Sequence, residues 1–143
     1  MEANTLRLGN YVYDDFKEIH KVEFISSDEY KNWIKEPQII LSKINGLKGF
    51  YQSDEVFPIP LSEDILLKLG FEKVEIKNSL INKCYYHIDD FEVEFHGDRL
   101  VLRIYGGESA PHLVQYFAHH TKFIHQLQNL YFSIKNEELT IKE

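Results

Sequence analysis

The stretch CYYHIDDFEVEFHGDRLVLRIY, residues 84–105, decides the fold. Two pairs of turn residues, Asp89-Asp90 and Gly97-Asp98, divide it into three runs rich in β-branched and aromatic side chains. Asp and Gly accept the positive φ that two-residue hairpin loops require. Taking both pairs as such loops sets the register. Ile88 falls opposite Phe91 and Tyr86 opposite Val93 in the first hairpin. In the second, Phe95 falls opposite Leu100, Val93 opposite Leu102 and Phe91 opposite Ile104. Side chains alternate along a strand, so all of these residues share one face. The reverse face carries the row His87–Glu92–Arg103, a base, an acid and a base. Two independent turns agree on one apolar face, which predicts a three-stranded antiparallel meander.

Upstream, PIPLSEDILLKLGFEK carries a short helix with both ends specified. Ser62 is a good N-cap, and Glu63 and Asp64 sit where the helix dipole favours negative charge. Leu61 is placed to staple onto Leu66. Gly70 suits a left-handed exit, with Phe71 folding back onto Leu66. Further back, LGNYVYDD and IHKVEFIS are apolar runs parted at Asp14 and Asp15, which predicts a hairpin of the kind that opens small SH3-like barrels. SSDEYKNWIKE could add a helical turn capped by Ser27 and ended by Pro37.

Downstream, residues 106–111 read as a loop and HLVQYF as a further strand. In KFIHQLQNLYFSIKNEEL, residues 122–139, the side chains of Ile124, Leu127, Leu130, Tyr131 and Ile134 recur at three and four, one face of a helix. Thr121 is placed to cap it and Asn136 to end it in a left-handed residue. The stripe is expected to lie on the apolar face of the meander, and LTIK to return as a last strand. The fold class is therefore α+β: an antiparallel sheet of an N-terminal hairpin and a three-stranded meander, packed by a short middle helix and a longer C-terminal helix. A chain of 143 residues suggests one domain, with a β-rich part over about 1–57 and an α+β part over about 58–143.

Composition narrows the function classes. With 43% hydrophobic residues the chain has ample material for a core, which excludes a disordered reading. The one cysteine, Cys84, cannot close an internal disulfide, and no apolar run approaches the roughly 18 residues that span a membrane. The start shows no secretion signal, so a cytoplasmic, soluble protein with no membrane partner is expected. The formal charge of −7 and the scattered lysines argue against direct nucleic-acid binding. Either the acidic balance simply keeps the protein soluble, or it suits docking on a basic protein surface.

Candidate sites are few. No G-x-S-x-G occurs, and YGGES lacks the Lys-Ser/Thr of a phosphate loop. Cys84 falls on the inferred core face, where a thiol is inert packing. His119, His120 and His125, with His112 before them, invite a metal reading. A spacing of five splays His120 and His125 apart, and no Cys or acid accompanies them. We therefore assign no catalytic residue, metal or cofactor, and expect His125 at the helix surface or an interface. Glu92, Glu94 and His96 project together at period two, near His87 and Arg103. A small metal-dependent hydrolase could be built on them, but the favoured reading is a solvated sheet face with cross-strand ion pairs. The aromatics Trp33, Phe50, Tyr51 and Phe57, with Asp54 and Glu55 among them, fall in a stretch broken by Gly46, Gly49, Pro58 and Pro60. They are candidate partner-binding residues, or they cap the ends of the β structure.

Three segments, LRLGNYVYD, IPLSEDILLKLGFEK and IHQLQNLYFSIKNEEL, occur in this order and cover about a third of the chain. Together they resemble a family of small uncharacterised proteins of Bacteroidota genomes, phages and prophages, whose usual ending is similar to VHQLQNLYFALTGEEL. Asn136 stands where that ending has glycine, and either residue accepts the left-handed exit. The resemblance implies no activity and carries over no catalytic residue. It implies a mobile-element setting, in which small acidic proteins bind host proteins. An anti-CRISPR protein against a type VI-B nuclease is one such role. The expectation is a non-enzymatic protein-binding protein that inhibits a host CRISPR RNA-guided nuclease. The alternatives are the small hydrolase built on Glu92, Glu94 and His96, and a phage assembly accessory.

Overall fold

The computed structural model describes residues 5–25, 38–43, 48–77, 82–97, 99–105, 113–118 and 121–142. The strands are β1 (Tyr11–Tyr13), β2 (Ile19–Ile25), β3 (Gln38–Lys43), β4 (Lys48–Gln52), β5 (Glu72–Lys77), β6 (Asn82–Ile88), β7 (Phe91–His96), β8 (Arg99–Tyr105) and β9 (Leu113–Ala118). The helices are α1 (Glu63–Lys68) and α2 (Ile124–Lys135). Two antiparallel sheets, β1-β2-β3-β4 and β5-β6-β7-β8-β9, make this an α+β fold. The chain divides into two compact units, Met1–Pro60 with Phe123–Leu139, and Leu61–Lys122 with Thr140–Glu143.

In the first unit the hairpin expected around Asp14 forms, with Val12 opposite His20 and Tyr13 opposite Ile19. β2 pairs with β3, with a bulge in the register between Val22 and Phe24, and β4 completes the sheet. After a 3-10 turn at Ser53–Glu55, Phe57 returns to β1: Tyr13 and Phe57 exchange both backbone hydrogen bonds at 2.9 Å. The resulting order is return segment–β1–β2–β3–β4. These strands thus form a sheet of their own, separate from the meander. Leu6, Val12, Val22, Ile39, Leu41 and Val56 form the core, with Ile25 and Tyr51 packed against it.

The longer helix belongs to this unit, packing on β1, and not to the meander as the apolar stripe suggested. The reason is polar. Gln128 is completely buried; its Oε1 accepts from Tyr11 N–H at 2.8 Å, and its Nε2 donates to Gly9 O at 3.1 Å and Leu139 O at 2.9 Å. Asn129 Oδ1 accepts from Asn10 Nδ2 and Arg7 Nε, and its amide donates to Thr5 O. The Arg7 guanidinium forks onto Glu138 and lies 3.9 Å over the Phe132 ring. Accommodating these groups turns the helix, so that His125 and Gln128 face inward with Ile124, Leu127 and Tyr131, while Ile134 is 38% exposed. The cap is Phe123, not Thr121; the Gln126 side chain accepts its N–H at 3.2 Å. Asn136 ends the helix at φ 55°.

The second unit follows the expected register pair for pair, from Ile88↔Phe91 to Phe95↔Leu100, and Asp89 and Gly97 take positive φ. The sheet is wider than three strands. The strand expected at HLVQYF forms as β9 over Leu113–Ala118, and β5, which the sequence reading passed over, pairs with β6 from Glu72↔His87 to Lys77↔Asn82. β5 is a charged edge strand, EKVEIK, whose two aliphatics are diluted by four charges. Ser62 caps α1, accepting from Ile65 N–H, and Gly70 exits at φ 87°. The bonds Gly70 N–H to Leu67 O and Phe71 N–H to Leu66 O complete a Schellman motif. Phe71 then meets Phe91 edge to face, centroids 6.3 Å apart. LTIK forms no strand; Lys142 N–H makes one bond to Lys68 O. Cys84, expected in the core, is exposed near the end of β6. The helical turn at 27–37 and the loop at 106–111 lie outside the described residues.

His125 is buried rather than at the surface, stacked on Phe123 at 5.8 Å, with no hydrogen-bond partner for Nδ1 among the described residues. Burial pushes its pKa below the usual imidazole value of 6.5. The unfolded chain therefore binds the proton more readily. This contribution to stability is complete above pH 6.5 and is lost as the pH falls through the lower, folded value. Thermal unfolding should show the midpoint falling between pH 7.5 and 5, with a shallower fall in His125→Phe; an unchanged slope in that variant would refute the assignment. Gln128→Leu should cost about 2–4 kcal/mol in urea unfolding, because buried backbone groups lose their partner. Gln126→Ala should cost under about 1 kcal/mol, and similar losses in the two variants would show that the inward amide is not special.

Candidate functional site

The β1–β2 turn is built around one carboxylate. Asp14 Oδ1 accepts from the N–H groups of Phe16 and Glu18, both at 2.9 Å, and Oδ2 faces His20 Nε2 at 2.9 Å. Lys17 takes φ 61° and donates its N–H to Asp14 O, closing the turn. Asp14 is 4% exposed and His20 1%. Burial pushes the Asp14 pKa up, but the hydrogen bonds from Glu18 N–H, His20 and Phe16 N–H outweigh it and hold the carboxyl below its ordinary value. The Tyr51 ring packs on His20 at 5.4 Å. One candidate donor atom each from Asp14, Glu18 and His20 lies within 4.8 Å of the others.

Beside this turn lies a groove of about 510 Å³, lined by Tyr13, Asp14, Asp15, Lys17, Phe57, Pro58 and Pro60. Its size suits a ligand or an anchoring side chain. The Tyr13–Phe57 backbone pair sets its width by tying the return segment to β1. Pro58 and Pro60 offer flat apolar walls and no N–H donors. Large apolar side chains are exposed here: Phe57, in the groove lining, is 43% exposed, and Phe16, in the same turn as Asp15 and Lys17, is 86% exposed.

Of the aromatics singled out in the sequence, Phe57 lines the groove and Tyr51 packs inward on His20. Phe50 and Tyr51 belong to β4, not to an irregular stretch. Trp33 and the Phe50 side chain lie outside the described residues. Asp54 and Glu55 are exposed on the 3-10 turn, where Glu55 accepts from Gln52 N–H. His112, His119 and His120 also lie outside the described residues. The sequence reading missed Asp14, His20 and the groove. The available signal was a Tyr-Asp pair at a strand end with a histidine six residues on, in register to meet it.

No protein-family model, no curated protein and no solved structure matches the chain.

The second unit carries the polar face. Glu92, Glu94, His96 and Arg103 come together there, joined by Lys83. His87 instead faces Glu72 at 3.7 Å. This face is not solvated at its centre: Glu92 is 3% exposed and Glu94 7%. Arg103 Nη1 bridges both carboxylates, Lys83 Nζ stands 3.2 Å from Glu92 and 3.7 Å from Glu94, and His96 Nε2 is 2.9 Å from Glu94. Burial alone would lower the Arg103 pKa, but the bonds from Glu94 and Glu92 raise it, keeping the guanidinium charged. Both carboxylates are thus engaged by cations, which suits internal charge compensation better than proton transfer. Glu92→Ala should strand Arg103 beside a single acid and cost about 3 kcal/mol in chemical denaturation. A loss below about 1 kcal/mol would mean that the network is effectively solvated.

Proposed function

We propose that the protein is a non-enzymatic binding module that docks a segment of a host protein in the groove between the β1–β2 turn and the Phe57 return. One observation carries the reading: Phe16, the residue between groove-lining Asp15 and Lys17, is 86% exposed. A small molecule filling the groove would leave that ring in water, whereas a protein surface would cover both. The fitting segment presents an apolar or proline side chain to Tyr13 and Phe57, flanked by lysine or arginine near Asp15. The net charge of −7 favours approach to such a basic surface. The reading needs no cofactor, nucleic acid or membrane.

The resemblance to Bacteroidota mobile-element proteins supports a narrower version, an inhibitor of a host CRISPR RNA-guided nuclease of type VI-B in the cytoplasm. The basic surface around an RNA channel would supply the complementary charge. The test is affinity purification of the tagged chain from a Bacteroidota host carrying such a system, beside the variant Phe16→Ser/Phe57→Ala. A stoichiometric nuclease should co-purify with the wild-type chain, and the variant should bind it at least about 30-fold more weakly, the scale of an aromatic hot spot, with its unfolding midpoint unchanged. Equal recovery with both chains would remove the groove from the interface. A wild-type chain recovered alone would remove the inhibitor.

A further inference from the structure

We propose that Asp14, Glu18 and His20 bind one divalent transition-metal cation of the Zn²⁺ or Mn²⁺ type. The three candidate donor atoms lie within 4.8 Å of one another. A four-coordinate ion with bonds of about 2.1 Å spaces its ligand atoms about 3.4 Å apart. Closing the site therefore takes shifts of roughly an ångström, within reach of the exposed Glu18 side chain.

The local fold produces this convergence. Glu18 immediately precedes β2 and His20 is its second residue, so the two lie two positions apart. The reverse turn brings Asp14 back over them, since Asp14 N–H donates to Glu18 O. The amides of Phe16 and Glu18 occupy Asp14 Oδ1, which leaves Oδ2 facing the imidazole.

His20 supplies the nitrogen donor. Its ring is enclosed, and Nε2 points into the cluster, 2.9 Å from Asp14 Oδ2. One imidazole with two carboxylates, and no thiolate, suits Mn²⁺, Fe²⁺ or Zn²⁺ better than Ca²⁺ or Cu⁺. Three protein ligands leave a further position for water, and the groove that Asp14 lines brings solvent beside it.

The test uses the full chain, stripped with EDTA and titrated with Zn²⁺ alone by calorimetry. A parallel series adds Mn²⁺ and follows paramagnetic broadening of assigned backbone amides. The expected results are one ion per chain, a raised unfolding midpoint with Zn²⁺, broadening centred on residues 14–20, and affinity at least tenfold weaker in Glu18→Gln. Absence of saturable uptake at millimolar metal would overturn the proposal. So would unchanged affinity in Glu18→Gln, or broadening centred on the histidines at 112, 119 and 120. The broadening experiment needs only the wild-type chain, so it decides the question even if the variant folds poorly. The docking reading is unaffected by either result, because the Phe16→Ser/Phe57→Ala comparison does not involve the ion.

Discussion

The Gln128 amide ties the start of the chain to its end, taking the N–H of Tyr11 and giving to the carbonyls of Gly9 and Leu139. β1 is only three residues long, and an isolated pairing of that length is marginal in water. Its N-terminal N–H is buried, so without a partner it would cost more than its ladder contributes. With the amide in place, β1 can hold β2 on one side and the Phe57 return on the other. The groove, the Asp14 turn and the His20 pairing all hang from that short strand.

What could be read from the sequence follows the range of the forces involved. The meander and α1 were legible because their information is local: turn residues at set offsets, strict alternation, a cap and a left-handed glycine. The placement of α2 was not, because its stripe of Ile124, Leu127 and Tyr131 would suit either sheet. The choice is made by Gln128, Asn129 and Arg7, whose partners lie more than a hundred residues away. β5 was hidden by charge, since an edge strand needs few apolar residues. The candidate groove was hidden for the same reason as α2. Tyr13 and Phe57 meet only once the strand order is known, and nothing near either residue announces the other.

The two units handle charge differently. In the second, Arg103 and Lys83 bind Glu92 and Glu94 on one face of the sheet, so acids and bases are spent on one another. In the first, Asp14 is stabilised by backbone amides and a histidine, with no lysine or arginine at the carboxylate among the described residues. A buried anion held by N–H dipoles keeps its negative field, whereas one held by guanidinium does not. The unit carrying the groove is therefore also the one with charge still to offer.

The order of the chain has a consequence for synthesis. Both flanks of the first unit enclose the whole of Leu61–Lys122. On the ribosome, the helix that satisfies Tyr11 emerges only after that entire insert has been made, an interval of roughly 3–12 s at ordinary elongation rates. Through that time the second unit can complete its caps and ladders, while the earlier-made strands β1–β4 wait with the Tyr11 donor unfilled. The nascent first unit is thus the part exposed to chaperones and proteases, and translation speed across the insert sets how long that exposure lasts.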